Sequence, residues 1–561
     1  MNSPLPISYR IARNACAIAA AFLLLLGSLL LGERRLARTI LPETELTLAT
    51  LREKVKDSPD HPELIEAVRD LDYLYRRAFF RNQERLTLGV RMGISALLVM
   101  LVACSVMVIS VKPELKKPNA DSENRTQQLR RLSYGTTFVL AALILLGAVV
   151  YFRKAAAISA TTVVALPTEE SAELLSPQLL QQALERGAEN WPGFRGSILP
   201  NKNLLPGDFK LKRSWQQKIP LLGYNSPVIW GERIFVAGGN AKTRALFCYS
   251  LEDGSLLWQQ NAGSIAKLPE VTEDTGYSAP TLAVDQNRVY GVFATGQLLC
   301  LDHQGQEIWT KNLPFPEILY GYASSLLLAG SILVVQYDLD EKQVLYGFDA
   351  VTGKEIWKTQ RESSVSWSSP VLLAEKDRYT LFTGGNSKAE GFELFSGRKL
   401  WENACLGGEV ASSAFAENGY FYFANSGALS GAFSAETGEL FWQNENVPLP
   451  DVASPIVADG VMYLFCSGGS VIALDAANGS ELYEENFASG FYASPVLLEG
   501  KIVAVNMDGL LLLIQPSAEK WIQLATYESG RKVLATPAFA KGKIILRSMT
   551  NELICLEGTD D

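Results

Sequence analysis

From about residue 210 to the C-terminus, short apolar runs alternate with polar stretches in the manner of β-strands rather than helices. Within this region an apolar run meets a polar residue, a Gly-centred turn follows, and an aromatic residue closes the unit. The motif reads CYSLEDGSLLW at 248–258, CLDHQGQEIW at 300–309, GFDAVTGKEIW at 347–357, GFELFSGRKLW at 391–401 and GAFSAETGELFW at 431–442. It reads ALDAANGSELY at 473–483, with Tyr483 in place of Trp. A second landmark has the same period: Ser226-Pro227, Ala279-Pro280, Ser324-Ser325, Ser369-Pro370, Ser412-Ser413, Ser454-Pro455, Ser494-Pro495 and Thr536-Pro537. A β-type run follows each, as in PVIWGERIFVAGG (227–239) and PIVADGVMYLFCSGG (455–469). Proline as the first residue of a strand forfeits no needed ladder bond. Repeats of roughly 40 to 50 residues with four strand-like runs each predict an all-β, eight-bladed β-propeller over 191–561.

The same pattern predicts how the ring closes. The last unit, ATPAFAKGKIILRSMTNELICLEG (535–558), has no fourth strand after it, while KLKRSWQQKIP (210–220) is an orphan strand bearing Trp215. Trp215 therefore belongs to the last blade, and closure removes the open edges that template aggregation. The seventh unit, LLLLIQPSAEKWIQL (510–524), lacks the Gly turn, and Trp521 is read as its closing aromatic. Gly254, Gly305, Gly353, Gly397, Gly438 and Gly479 stand where a turn needs positive φ. Polar residues just before them, such as Asp349 and Asp475, can accept hydrogen bonds from the turn amides. The Trp rings are expected to pack between adjacent blades. Cys248, Cys300 and Cys555 share a repeat slot with Gly347, Gly391, Ala432 and Ala473, so that slot needs a small side chain and the thiols are structural.

The first half of the chain has another pattern. Three apolar runs, at about 15–32, 93–111 and 134–152, carry no charge and have the length needed to cross a bilayer. They predict three transmembrane helices in a membrane region over 1–155. Between the first two, residues 33–92 read as a helical hairpin, with Leu48, Leu51 and Val55 on one helix and Leu64, Val68, Leu71 and Tyr75 on the other. Asp60 and Glu63 in its turn are spaced as a capping box. Residues 156–190 read as a linker. Basic residues flank the spans on both sides, so charge alone leaves the orientation open.

Composition narrows the chemistry. The 561-residue chain carries a formal charge of −9 and only two histidines, His61 and His303. Such a charge argues against a nucleic-acid surface, and no His-based metal site or triad is available. No P-loop, dinucleotide fingerprint, CxxC or HExxH occurs. Two residues before the Ser-Pro landmarks stand Tyr224, Tyr277, Tyr322, Trp367, Val410, Val452, Tyr492 and Leu534. In a propeller these positions ring one mouth of the central channel. Tyr224, Tyr277, Tyr322, Trp367 and Tyr492 are therefore either blade-to-blade packing or an aromatic rim that binds a peptide or small ligand.

The units DAVTGKEIW and SAETGELFW, with WPGFRG at 191–196, resemble the PQQ-like (quinoprotein-type) β-propeller repeat, whose core reads A-x-D-x-x-T-G-x-x-x-W. The resemblance covers about residues 191–561. It implies one of two roles. Some members are dehydrogenases that bind pyrroloquinoline quinone (PQQ) and calcium; they show an adjacent Cys-Cys pair that this chain lacks. Others are non-catalytic scaffolds, including the B subunit of the outer-membrane β-barrel assembly complex. Cys16, in RNAC, lacks the apolar residue that precedes a lipidated cysteine, a departure from that lipid-anchored subunit. The expectation is a membrane-anchored, non-catalytic scaffold for protein or peptide partners, without cofactor or metal, set in the inner-membrane bilayer with its propeller in the periplasm. A PQQ-dependent dehydrogenase and a membrane-tethered ligand sensor are the alternatives.

Overall fold

The computed structural model describes residues 177–559 except 203, 207–208 and 376–377, with isolated positions between 14 and 104. The expected hairpin and the third span, with residues 156–176 of the linker, lie outside the described residues. So do the first two spans, apart from those isolated positions. Among the described residues no helix is long and apolar enough to cross a membrane. In the N-terminal unit, Met1–Ala155, the described positions are helical, and the Cys16 and Cys104 sulfurs lie 3.6 Å apart.

The second unit, Ala156–Asp561, contains eight four-stranded antiparallel sheets. In blades 1 to 7 the four strands follow in chain order, beginning with Val228–Trp230 to Leu256–Asn261 and ending with Val496–Leu498 to Gln523–Glu528. The first strands of neighbouring blades meet, so they are the innermost and surround a central channel. Blade 8 takes three strands from the C-terminus, Ala538–Ala540, Lys543–Arg547 and Glu552–Gly558, and its outermost strand from Leu211–Lys218. Trp215 pairs with Cys555 there, as the orphan strand requires.

Two sets of contacts hold blade to blade. On the outside, each closing Trp donates its indole N–H to a carbonyl in the next blade's turn: Trp215 to Leu251, Trp258 to His303, Trp309 to Ala350, Trp357 to Leu394, Trp401 to Ala435 and Trp442 to Ala476, at 2.9–3.3 Å. The same ring covers that turn's glycine, which has positive φ as expected. On the inside, a backbone N–H at the start of the first strand in blades 1 to 7 donates to a hydroxyl of the next blade. The chain of links runs Ser226 to Thr281, Ser325, Ser369, Ser413, Ser454, Ser494 and Thr536, at 2.9–3.1 Å.

The small slot has a steric cause. Each of these slot residues lies opposite its own blade's closing aromatic, Tyr483 for Ala473 and a Trp for the others, as Gly347 does with Trp357, where a Cβ would come within 2.2 Å of the ring. Blade 7 departs from the sequence reading. Its slot pair is Leu513 with Ala525, so Trp521 lies before the fourth strand and packs on Phe487 instead. The longer 515–522 connection displaces Trp521, and a large residue in the slot now faces a small one.

A helix that the sequence reading does not anticipate, α1 (Pro177–Gly187), lies within the expected linker. Its Leu180 and Leu184 are buried against Ala329, Ile332 and Leu372 of blades 3 and 4. Their spacing of four residues puts both on one helix face.

Candidate functional site

Because the strands alternate in direction, each propeller face has its own connections. The turns between first and second strands and between third and fourth strands lie on one face, here the turn face. The remaining connections, including those leading into the next blade, form the loop face. The residues expected at the rim belong to loop-face segments.

The inner hydroxyl links define the equivalent positions more strictly than the sequence landmarks do. In blades 2, 3 and 5 the linking residues are Thr281, Ser325 and Ser413, so the landmarks there are offset by two, one and one residues. Tyr224, Trp367 and Tyr492 keep equivalent places; Tyr277 and Tyr322 do not. Tyr322 is 1 % exposed and donates its hydroxyl to the Gln336 carbonyl at 2.9 Å, so it packs in the core and faces no solvent. Tyr224, Tyr277, Trp367 and Tyr492 are half-buried.

Neighbouring loops pin two of these rings. The Trp367 indole donates to the Leu319 and Gly321 carbonyls at 3.2 and 3.1 Å, and its ring lies 5.4 Å from Tyr320. The Tyr224 hydroxyl donates to the Glu273 carbonyl at 2.7 Å; burial, then Asp274 and Glu273, push its pKa up. Around them Leu222, Leu268, Leu319, Val452 and Met549 are exposed. Exposed carboxylates on the same connections, including Glu270, Glu273, Asp274, Glu317, Asp340 and Asp451, frame these apolar spots. Apolar and aromatic contacts inside a polar border are what a protein-binding surface uses.

The turn face is built differently. After α1 the chain crosses the channel mouth. Trp191 exchanges backbone hydrogen bonds with Ile229 of blade 1, Pro192 accepts one from Val284 of blade 2, and Glu499 of blade 7 accepts from the Leu204 and Leu205 amides. Trp191 is fully buried beside Phe539. Within this crossing Arg195, at φ 64°, reaches into the channel and donates to the Pro455, Pro495 and Ala414 carbonyls of blades 6, 7 and 5 at 2.8, 3.3 and 3.4 Å. WPGFRG is thus a plug with a cationic tip. Beside it lies a cavity of about 600 Å³, lined by α1, the plug and the first strands of several blades.

Buried charge is concentrated elsewhere in two places. Between blades 3 and 4, Arg361 pairs with Asp338 and, at 3.0 Å, with Glu390; all three side chains are fully buried. Gln336 donates to Asp338 at 2.8 Å. Burial raises the Asp338 pKa despite the opposing pull of Arg361. Between blades 8 and 1, Arg547 donates to Asn225, Ala237 and Asn551 oxygens and pairs with no carboxylate among the described residues, and burial lowers its pKa to about 9. Sequence reasoning missed Arg195, Arg361 and Arg547. Only Arg195 had a signal, its place in WPGFRG. Among the described residues no group of His, Cys, Asp and Glu side chains gathers as a metal site.

Comparison with known proteins follows the same outline. The family model PQQ_2, described as outer membrane protein assembly factor BamB, matches residues 274–416 and 341–561, together just over half of the chain. A protein of that name from Moranella endobia (strain PCIT) is 29 % identical over 335 residues, covering 49 % of this chain and 84 % of the relative. Its namesake from Salmonella typhimurium (strain LT2) is 26 % identical over 320 residues, covering 47 % and 80 %. A quinohemoprotein alcohol dehydrogenase from Pseudomonas putida HK5 superposes with a TM-score of 0.53 at 12 % identity, over 69 % of this chain and 83 % of that one. That likeness concerns the fold alone.

Proposed function

The chain belongs to the family described as outer membrane protein assembly factor BamB, and from that premise we propose that its propeller is a non-catalytic scaffold that binds protein partners during outer-membrane protein assembly. The observation that carries this reading is the loop face. Half-buried aromatics and exposed Leu222, Leu268, Leu319 and Val452 lie there inside a border of carboxylates. Such a surface suits a partner with apolar anchors and basic flanks. The blade-to-blade links keep it rigid, so little ordering cost attends binding.

The test uses full-length protein recovered from membranes with its partners. Tyr224→Ala with Trp367→Ala removes two rings from the face, and the expected result is a loss of co-purified partner of tenfold or more, a scale typical of aromatic anchors, at about the same melting temperature. Unchanged capture sinks the loop-face assignment. Quinone-dependent turnover of an alcohol by the purified protein sinks the non-catalytic reading.

The reading includes three spans that hold the propeller to the inner membrane on its periplasmic side. Reporter fusions after residues 120 and 165 are expected to report opposite compartments, with 165 periplasmic. A cytoplasmic signal after 165 reverses the orientation.

A further inference from the structure

Arg195 is a cation held beside a cavity without a counter-ion. Its guanidinium has five N–H donors. Three of them go to the Pro455, Pro495 and Ala414 carbonyls, and no ion pair to it is formed among the described residues. Carbonyl dipoles fix its position but bring no net charge. Two of the three carboxylates that line the same cavity are occupied otherwise: Glu499 accepts the Leu204 and Leu205 amides and Asp285 pairs with Arg288. The third, Glu417, has its pKa raised by burial and then by Asp459, which disfavours its charged form.

The cavity measures about 600 Å³, the size of a small-molecule site, and much of its wall is apolar, including Leu327, Val371, Phe415 and Leu497. The Phe415 ring lies 5.3 Å from the Arg195 guanidinium carbon. Arg195 is half-buried, and that burial lowers its pKa to about 9, a penalty that a bound anion relieves.

We propose that the turn-face cavity binds a small monocarboxylate with an apolar body, its carboxylate seated on the N–H donors that Arg195 leaves free. The apolar walls take the body, and the guanidinium selects the head. This site lies on the opposite face from the partner surface and does not rest on that reading.

The experiment is isothermal titration of the purified full-length protein with 2-naphthoate and with 2-naphthylmethanol, its neutral counterpart. A hydrogen bond to a charged group predicts that the acid binds at least about tenfold tighter than the alcohol. Arg195→Gln keeps amide donors for the carbonyls and is expected to abolish that preference. Should Arg195→Gln fail to fold, Leu327→Trp fills the cavity and is expected to abolish naphthoate binding. Equal affinity for acid and alcohol overturns the proposal, as does absence of binding or full binding by either folded variant. A third arm uses an acetylated Leu-Leu peptide with a free C-terminus and its C-terminal amide. Binding of the peptide acid without naphthoate binding assigns the cavity to chain ends and overturns the small-molecule assignment.

Discussion

A glycine in the outer turns is constrained twice. Gly438 has φ 71°, and an added Cβ would come within 2.4 Å of the Trp401 ring. Gly460 has a similar φ of 75° with nothing within 4 Å of the same added atom. The pair separates backbone strain from crowding. Gly460→Ala is expected to cost about 1–2 kcal/mol from the left-handed conformation alone. Gly438→Ala adds an overpacking cost, for a total of about 2–5 kcal/mol. Urea unfolding of both variants checks this, and equal losses would refute a role for the indole. The pattern was readable because turn chemistry is local: Gly followed by an aromatic four residues on needs no partner from elsewhere. The blade 7 exchange was not readable, since Leu513 meets Ala525 only through strand pairing.

Between elements, the interface of blades 3 and 4 holds two carboxylates and one guanidinium away from water, an excess of one negative charge. Burial raises the Asp338 pKa, so the folded state holds that proton more tightly than the unfolded chain does. The contribution of Asp338 is therefore fully present below its unfolded pKa, in the ordinary aspartate range, and is lost as pH climbs through the raised value. Asp338→Asn removes the excess charge and keeps an oxygen for Gln336 and Arg361. Urea unfolding from pH 4.5 to 8.5 is expected to show the wild type losing ground to this variant as pH rises. A gap that stays constant with pH would mean that Asp338 does not titrate differently on folding. None of this interface was legible beforehand, because Asp338, Arg361 and Glu390 share no repeat position.

For the molecule as a whole, stability depends on a closure made by a strand that no turn joins to its own blade. Leu211–Lys218 pairs along Glu552–Gly558, and its Trp215 also reaches blade 1 through the Leu251 carbonyl. Trp215→Ala and Trp309→Ala remove half-buried rings in matching places. Each is expected to cost about 2–4 kcal/mol, at the lower side of full core truncations. Only Trp215→Ala should also speed amide exchange along 211–218 and 552–558, because loosening that strand exposes an unpaired edge. Exchange confined to the mutated turn in both variants would show that closure needs no help from the indole.

The blade number, the small slot, the turn glycines and the ring closure were determined by the sequence itself. Each arises from alternation and turn chemistry within a few residues, and repetition around the ring made each visible several times. The tertiary structure alone decided which hydroxyls form the inner links, hence the offsets that separate Tyr277 from the ring and bury Tyr322. It also decided that α1 docks on blades 3 and 4 and that Arg195 enters the channel beside a cavity. Arg195 meets carbonyls 219, 260 and 300 residues further along the chain. Contacts between such distant positions leave no period in the sequence, because they depend on how the closed ring brings blades 5, 6 and 7 around one axis.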